Sequence, residues 1–392
     1  MRAVAVGLVA LLLLGFTALF TLGPAAVERS ANRVLPGVSR TVPPAAEQLH
    51  QALFVADLHG DSLLWSRDLL ERANYGHIDL PRLQAGSVDI QVFAAPTQVP
   101  LGINYERNEL DWDVITLLSI VQRWPARTWF SATARAEHIA DKLHAFAARS
   151  YGKLEVVTTG PQLDALVERQ PTEKGLVAAV LAIEGLHAIE GRLENLDRLY
   201  QAGYRMMAPT HFFDNELGGS AHGMEKGGLT EFGAQVIRAM EERKIIADLA
   251  HASPKLIDDV LAIATRPVVV SHSGVKATCD NVRNLSDDHI RKIAAGGGVI
   301  GIGYWDAAVC DVSVAGIVKA IKHVSKLVGA EHAALGSDFD GGTETPFDTA
   351  GLDQITAGLL AAGFSDVDLR NVMGGNVLRL LRLWLPGADG NR

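Results

Sequence analysis

The chain has 392 residues, 48% of them hydrophobic and 21% charged, which is an ordinary globular composition. That length permits two domains, but α/β barrels of this size form one. A net charge of −9 and an isoelectric point near 5.8, with no block of lysine or arginine, exclude a nucleic-acid-binding face.

After Met1-Arg2, residues Ala3 to Val27 carry no charge, and Leu8 to Leu22 are especially rich in leucine and phenylalanine. About twenty apolar residues span a bilayer as a helix. A signal peptide has the same layout, a basic start and an apolar core followed by small residues such as Ala25-Ala26. Residues 1–27 are therefore expected to be a cleaved signal or an uncleaved membrane anchor. Either way the rest of the chain is exported, to a membrane-anchored, periplasmic or extracellular location. Arg2 favours an N-terminus that stays inside. Residues 28–46, with Pro36, Pro43 and Pro44, read as a linker, residues 47–385 as the folded domain, and 386–392 as a polar tail.

Eight short apolar runs of strand type follow one another: Leu53–Ala56, Val88–Phe93, Val177–Ile183, Arg205–Ala208, Ile245–Asp248, Val268–Val270, Val299–Ile302 and Ala333–Leu335. They show little polar alternation, as expected of strands covered on both faces. Helical periodicity fills most of the gaps, at Leu193–Ala202, Thr230–Arg243, Pro254–Ala264, Ser286–Ala295 and Val314–Val328. Ser253 and Pro254 make a good N-cap and first-turn pair, and Gly203 is placed to end the helix before it. Alternating strands and helices imply a parallel sheet, and eight of them favour a closed (β/α)8 barrel. The long gap between the second and third strands, with helical stretches near Asp111–Arg123 and Thr133–Ala148, reads as an insertion over the catalytic face.

The chemistry sits just past the strands. His59 and Asp61 follow the first, Glu184 ends the third, His211 follows the fourth, His251 the fifth, His272 the sixth and Asp338 the eighth. A lone His or Asp after a strand is most often a turn residue or helix cap. So many at the same end of successive strands are hard to explain as packing. In an extended segment i and i+2 face one way, so His59 and Asp61 can reach one cation. Glu184 has two oxygens and can bridge two. Nitrogen and oxygen ligands without thiolates suit zinc, with manganese, cobalt or iron as alternatives. A water clamped between two such cations would be deprotonated near neutral pH, with Asp338 taking its proton. The two cysteines, Cys279 and Cys310, form one bridge in an exported chain or remain two buried thiols; both readings stay open.

The ordered set Asp57-x-His59-x-Asp61, Glu184-Gly-x-His187, Pro-Thr-His211, Asp248-Leu-x-His251-x-Ser, Ser-His272-Ser and Gly-Ser-Asp338-Phe-Asp-Gly resembles the membrane (renal-type) dipeptidases, peptidase family M19 of the amidohydrolase superfamily. The resemblance runs from about Leu53 to Leu380. It implies a zinc-dependent dipeptidase with two Zn2+ per chain, often tolerant of a C-terminal D-residue. His59 and Asp61 would hold one metal, His251 and His272 the other, and Glu184 would bridge them. Asp338 matches the catalytic acid–base. His211 matches a histidine that binds the substrate carbonyl and stabilises the oxyanion. Arg283 matches an arginine that grips the substrate carboxylate, as a guanidinium does through paired hydrogen bonds. A Cys279–Cys310 disulfide is implied in the same way.

The implied partner is a small dipeptide, with membrane contact only through an uncleaved N-terminal segment; the oligomeric state stays open, dimers being common in the family. The residues after His211, those after Tyr304-Trp305 and the long insertion depart from the mammalian enzymes, which puts substrate preference in doubt more than metal chemistry. Alternative activities on the same barrel are hydrolysis of an N-acyl amino acid, a lactam or an ester. A non-catalytic binding protein is the alternative of a different class, and the intact ligand set speaks against it.

Overall fold

Strands covered on both faces must close or be capped, and here they close. In the computed structural model, which describes residues 4, 15, 17–37 and 41–387, the predicted strands all form. They are β1 (Val55–Asp57), β2 (Val88–Pro96), β3 (Val177–Glu184), β4 (Tyr204–Met207), β5 (Ile246–Ala247), β6 (Val269–Ser273), β7 (Val299–Ile302) and β8 (Ala333–Leu335). Every pairing among them is parallel, running β5-β4-β3-β2-β1-β8-β7-β6. The ends of that ladder meet through a parallel bridge between Asp248 and Val269, which makes the sheet a barrel. A further short strand, Leu154–Val156, pairs with the start of β3 and was too brief to read from sequence.

The strand period of two divides the core. Ile90, Val92 and Ala94 of β2 and Ala178, Val180 and Ala182 of β3 belong to one cluster inside the barrel. Their neighbours Phe93, Ala95, Ala179, Leu181 and Ile183 face the surrounding helices. Gly301 and Gly336 let the interior close, since a Cβ on either would lie 2.0 Å from the Ser271 carbonyl oxygen. Leu380, Leu381 and Trp384 of the last helix, Asn376–Trp384, join the interior cluster and plug the barrel floor.

The insertion after β2 divides into two parts. Residues 97–113 cross toward the loop after β4, where the Asn108 N–H donates to the His222 carbonyl (2.7 Å). The helix Ala132–Arg149 instead packs outside the sheet, burying Ala136, Ile139 and Leu143, and serves as the barrel helix of the second unit. Only the first part overlies the catalytic face.

The segment read as a linker has structure of its own. It includes the last turn of the helix Gly23–Ala31, the strand Arg33–Val34, which pairs with Glu344–Thr345, and the start of the helix Pro44–His50. Among the described residues no helix is long and apolar enough to cross a membrane. About half of the expected signal or anchor, residues 1–27, lies outside the described residues, as does most of the 386–392 tail.

Candidate metal centre and active site

A parallel barrel brings every strand's C-terminus to one rim, so residues just past the strands converge. His59, Asp61, Glu184, His211, His251 and His272 are each at most 5% exposed, and Asp338 is 9% exposed. Glu184 stands at the centre. Its Oε1 lies 3.2 Å from His59 Nε2, 3.3 Å from His251 Nε2 and 3.4 Å from His272 Nε2, while Oε2 lies 3.3 Å from His211 Nε2. His251 Nε2 and His272 Nε2 are 3.0 Å apart. His59 Nε2 is 3.7 Å from Asp61 Oδ1 and 4.0 Å from Asp338 Oδ1.

The predicted ligands are thus all together, but distance does not sort them into two sets. The tight groups are His59–Glu184–His272, Glu184–His211–His251 and His59–Asp61–Asp338. His211 therefore stands as near the carboxylate centre as the expected ligands do.

The electrostatics call for cations. Burial raises Glu184, but His211 and His59 outweigh it and hold the carboxyl well below its usual range. Burial and the neighbouring Glu184 push Asp61 well above that range, and burial takes Asp338 up to about 8. Burial opposes a charge on His59, yet Glu184, Asp61 and Asp338 prevail and lift it to about 10. His251 and His272 are driven well below the usual histidine value, first by burial, so they stay neutral, the form that binds metal. His59 Nε2, Asp61 Oδ1 and Glu184 Oε1 are buried without a hydrogen-bond partner among the described residues. Orphaned nitrogen and oxygen donors converging on one space fit divalent metal ions.

A supporting layer aims these side chains. Ser271 Oγ lies 2.9 Å from His272 Nδ1 and 3.3 Å from His59 Nδ1, so the Nε2 atoms of both rings are left for the centre. Asp57 and Asp248, which the sequence reading quoted only as parts of motifs, accept main-chain N–H groups on either side of the ligand loops. His251 and Asp338 have φ of 62° and 59°. Non-glycine residues in that left-handed region cost about 1–3 kcal/mol each and persist at sites where surroundings hold them.

Arg283 is buried beside the centre. It donates through Nη2 to the His272 carbonyl (2.7 Å) and stands over the Trp305 ring at 5.6 Å, while its Nε has no partner among the described residues. Cys279, four residues earlier, is joined to Cys310 by a disulfide, with Cα atoms 5.4 Å apart. His187, of the Glu184-Gly-x-His187 motif, is buried, pairs with Thr97 Oγ1 at 2.9 Å and packs against Phe213. Sequence reasoning missed Tyr105 and His222. The Tyr105 carbonyl is 2.6 Å from His222 Nδ1, and the His222 ring lies 5.3 Å from that of His251. No sequence signal marks Tyr105, because the insertion has no periodicity there.

A closed parallel barrel with imidazoles and carboxylates buried at its C-terminal rim defines a metal-dependent hydrolase of the α/β-barrel class. The chain belongs to the membrane dipeptidase family, peptidase family M19, which matches residues 44–384. It is accordingly a metallo-dipeptidase. It is similar to the dipeptidase aclJ of Aspergillus oryzae, 28% identical over 362 residues that cover 86% of this chain and 79% of that one. Among solved structures it resembles dipeptidase AC, an M19 metallopeptidase, with 25% identity and a TM-score of 0.68 over 85% of this chain and 99% of that one. A metallopeptidase of Rhodobacter sphaeroides, solved with a phosphinate mimic of the dipeptide L-Ala-D-Ala, shares the fold with a TM-score of 0.69 at 24% identity, over 85% and 99% of the two chains.

Proposed function

We propose that the chain hydrolyses dipeptides carrying a free C-terminal carboxylate, using two zinc ions, and accepts a D-residue at the C-terminal position. The observation that carries the reading is Glu184, whose one oxygen faces three imidazole nitrogens within 3.4 Å. His59 and Asp61 would hold one ion and His251 and His272 the other, with Glu184 shared. Two divalent cations there would polarise the scissile carbonyl and make a water acidic enough to lose its proton near neutral pH.

The remaining work falls to side chains of the chain itself. The carboxylate of Asp338 takes a proton from the attacking water and returns it to the leaving amine, a role suited to a carboxyl that burial has lifted toward neutrality. His211, kept neutral by burial, offers an imidazole N–H to the oxygen that becomes negative. Arg283 has an unpaired Nε to donate to the substrate carboxylate, and Trp305 holds its guanidinium plane. The tolerance for a D-residue is supported by the ligand of the Rhodobacter sphaeroides relative alone. An exported location is supported by the apolar N-terminal sequence and by the disulfide, which persists in oxidising compartments.

The test combines metal analysis with a panel of L,L, L,D and C-terminally amidated dipeptides, on the wild type and on Asp338→Asn. Two zinc ions per chain are expected in both proteins, and a loss of kcat of about a hundred- to ten-thousandfold in the variant. Full activity in Asp338→Asn, or equal turnover of the amidated dipeptides, would sink the assignment.

A further inference from the structure

Residues 28–35 lie before the family-matched part of the chain, which begins at residue 44. They are folded against the loop after β8, the loop that carries Asp338, and three contacts hold them there. Glu28 is wholly buried and pairs with Arg67 Nε. The Arg67 side chain, 4% exposed, continues through Nη2 to Asp340 Oδ2 and through Nη1 to the Ile78 carbonyl. Asp340 in turn accepts the N–H groups of His77 (2.6 Å) and Ile78 (3.1 Å), and its carbonyl accepts Trp65 Nε1 at 2.7 Å. The second contact is Asn32, 2% exposed, whose Oδ1 accepts the Gly342 N–H at 2.8 Å. The third is the parallel pairing of Arg33–Val34 with Glu344–Thr345, extended by the Leu35 N–H to the Thr345 carbonyl (2.8 Å).

The loop so held is a demanding one. Asp338 and Asp340 both have left-handed backbones, with φ of 59° and 65°. A Cβ on Gly341 would lie 2.0 Å from Asp338 Oδ1. Thr343 donates its hydroxyl to the Asp338 carbonyl at 2.7 Å, so the strand pairing at residue 344 bears on Asp338 through one residue. Backbone of this kind relaxes unless its surroundings over-determine it.

We propose that residues 28–35 form a positioning arm of the active site, which orients the Asp338 carboxylate through Glu28–Arg67–Asp340 and through Asn32–Gly342. The proposal rests on the acid–base role given to Asp338 above. Glu28 and Asn32 act through the loop and touch no substrate. Processing of the N-terminal segment must then leave Glu28 on the working enzyme.

The test uses the full chain with Glu28→Ala, Glu28→Gln and Asn32→Ala, beside Asp338→Asn. Removing support behind a site residue typically costs ten- to a hundredfold, so kcat is expected to fall by about that factor in both alanine variants, with metal content unchanged and KM within about twofold. Glu28→Gln, which keeps an acceptor for Arg67, is expected to fall less than Glu28→Ala. Should Glu28→Ala fail to fold, Asn32→Ala decides alone. An unchanged kcat in folded arm variants, or a parallel loss of metal, KM and kcat, overturns the arm. Turnover surviving in Asp338→Asn overturns the acid–base reading instead, so the two failures are told apart.

Discussion

Asp57 and Asp248 hold two ligand loops in the same way. Asp57 Oδ1 accepts the His59 N–H at 3.0 Å within its own loop and the Ser337 N–H at 3.1 Å from the neighbouring strand end. Asp248 Oδ1 accepts the Ala250 N–H at 3.0 Å and the Ser271 N–H at 2.9 Å. Each carboxylate therefore staples one loop of the candidate metal centre to a neighbouring strand, and burial holds both above the usual carboxylate range.

Replacing either by alanine strands two buried N–H groups. Asp57→Ala and Asp248→Ala are each expected to lose about 3 kcal/mol of stability in urea unfolding and about ten- to a hundredfold in metal affinity. Asparagine keeps the accepting oxygen and sheds a charge that burial disfavours. Asp57→Asn and Asp248→Asn should therefore unfold within about 1 kcal/mol of the wild type. Equal losses in the alanine and asparagine variants would show that the hydrogen bonds are not what matters.

Under the proposed function Arg283 sets the demand for a free carboxylate. A hydrogen bond to a charged group contributes about 1.5–3 kcal/mol, so Arg283→Met should lower kcat/KM on free dipeptides by roughly ten- to a hundredfold. Turnover of C-terminally amidated dipeptides should change far less. The ratio of the two rates, compared between wild type and variant, is the measurement.

The Cys279–Cys310 bridge spans 31 residues and encloses Arg283. A loop of that length makes the bridge worth about 3 kcal/mol to the folded chain. Cys279→Ser/Cys310→Ser should unfold at correspondingly lower urea concentration and, with Arg283 less firmly placed, show a raised KM. The wild type assayed under reducing conditions should move in the same direction.

Asp89 offers a pH test away from the metal centre. Burial lifts its carboxyl to about 7, and its Oδ2 accepts the Val55 N–H at 2.8 Å. The folded chain thus keeps a proton there that the unfolded chain gives up near pH 4, so stability falls as pH rises from about 4 to 7. Asp89→Asn removes that slope. Its advantage over the wild type in urea unfolding should be small at pH 5 and larger at pH 8.

The barrel was legible because strands buried on both faces leave uninterrupted apolar runs, and the residues that gather at its rim were legible because each closes such a run. Glu184 is the clearest case, the last residue of β3 and the centre of the site. What stayed hidden depends on partners far off in the chain. Residues 28–35 look like a linker because prolines follow them and their partners lie some 310 positions away, as Asn32 and Gly342 show. His50 reads as a solvated helix residue, yet it is 2% exposed, 2.8 Å from Thr356 Oγ1 and 3.0 Å from the Gly86 carbonyl. The assignment of His211 also rests on more than spacing, since in the folded chain it stands as close to Glu184 as the candidate ligands His59, His251 and His272 do.

The pairing of β1 with β8, the first strand of the barrel with the last, has a consequence for when the enzyme can begin to work. Asp57 pairs with Leu335, a pairing that helps bring the candidate ligands His59 and Asp61 to Asp338 nearly 280 residues later. An incompletely synthesised chain holds some of the donors and none of the finished centre. Hydrolysis must therefore wait for the final strand, and activity in a sample is itself a report that the circle of the barrel is complete.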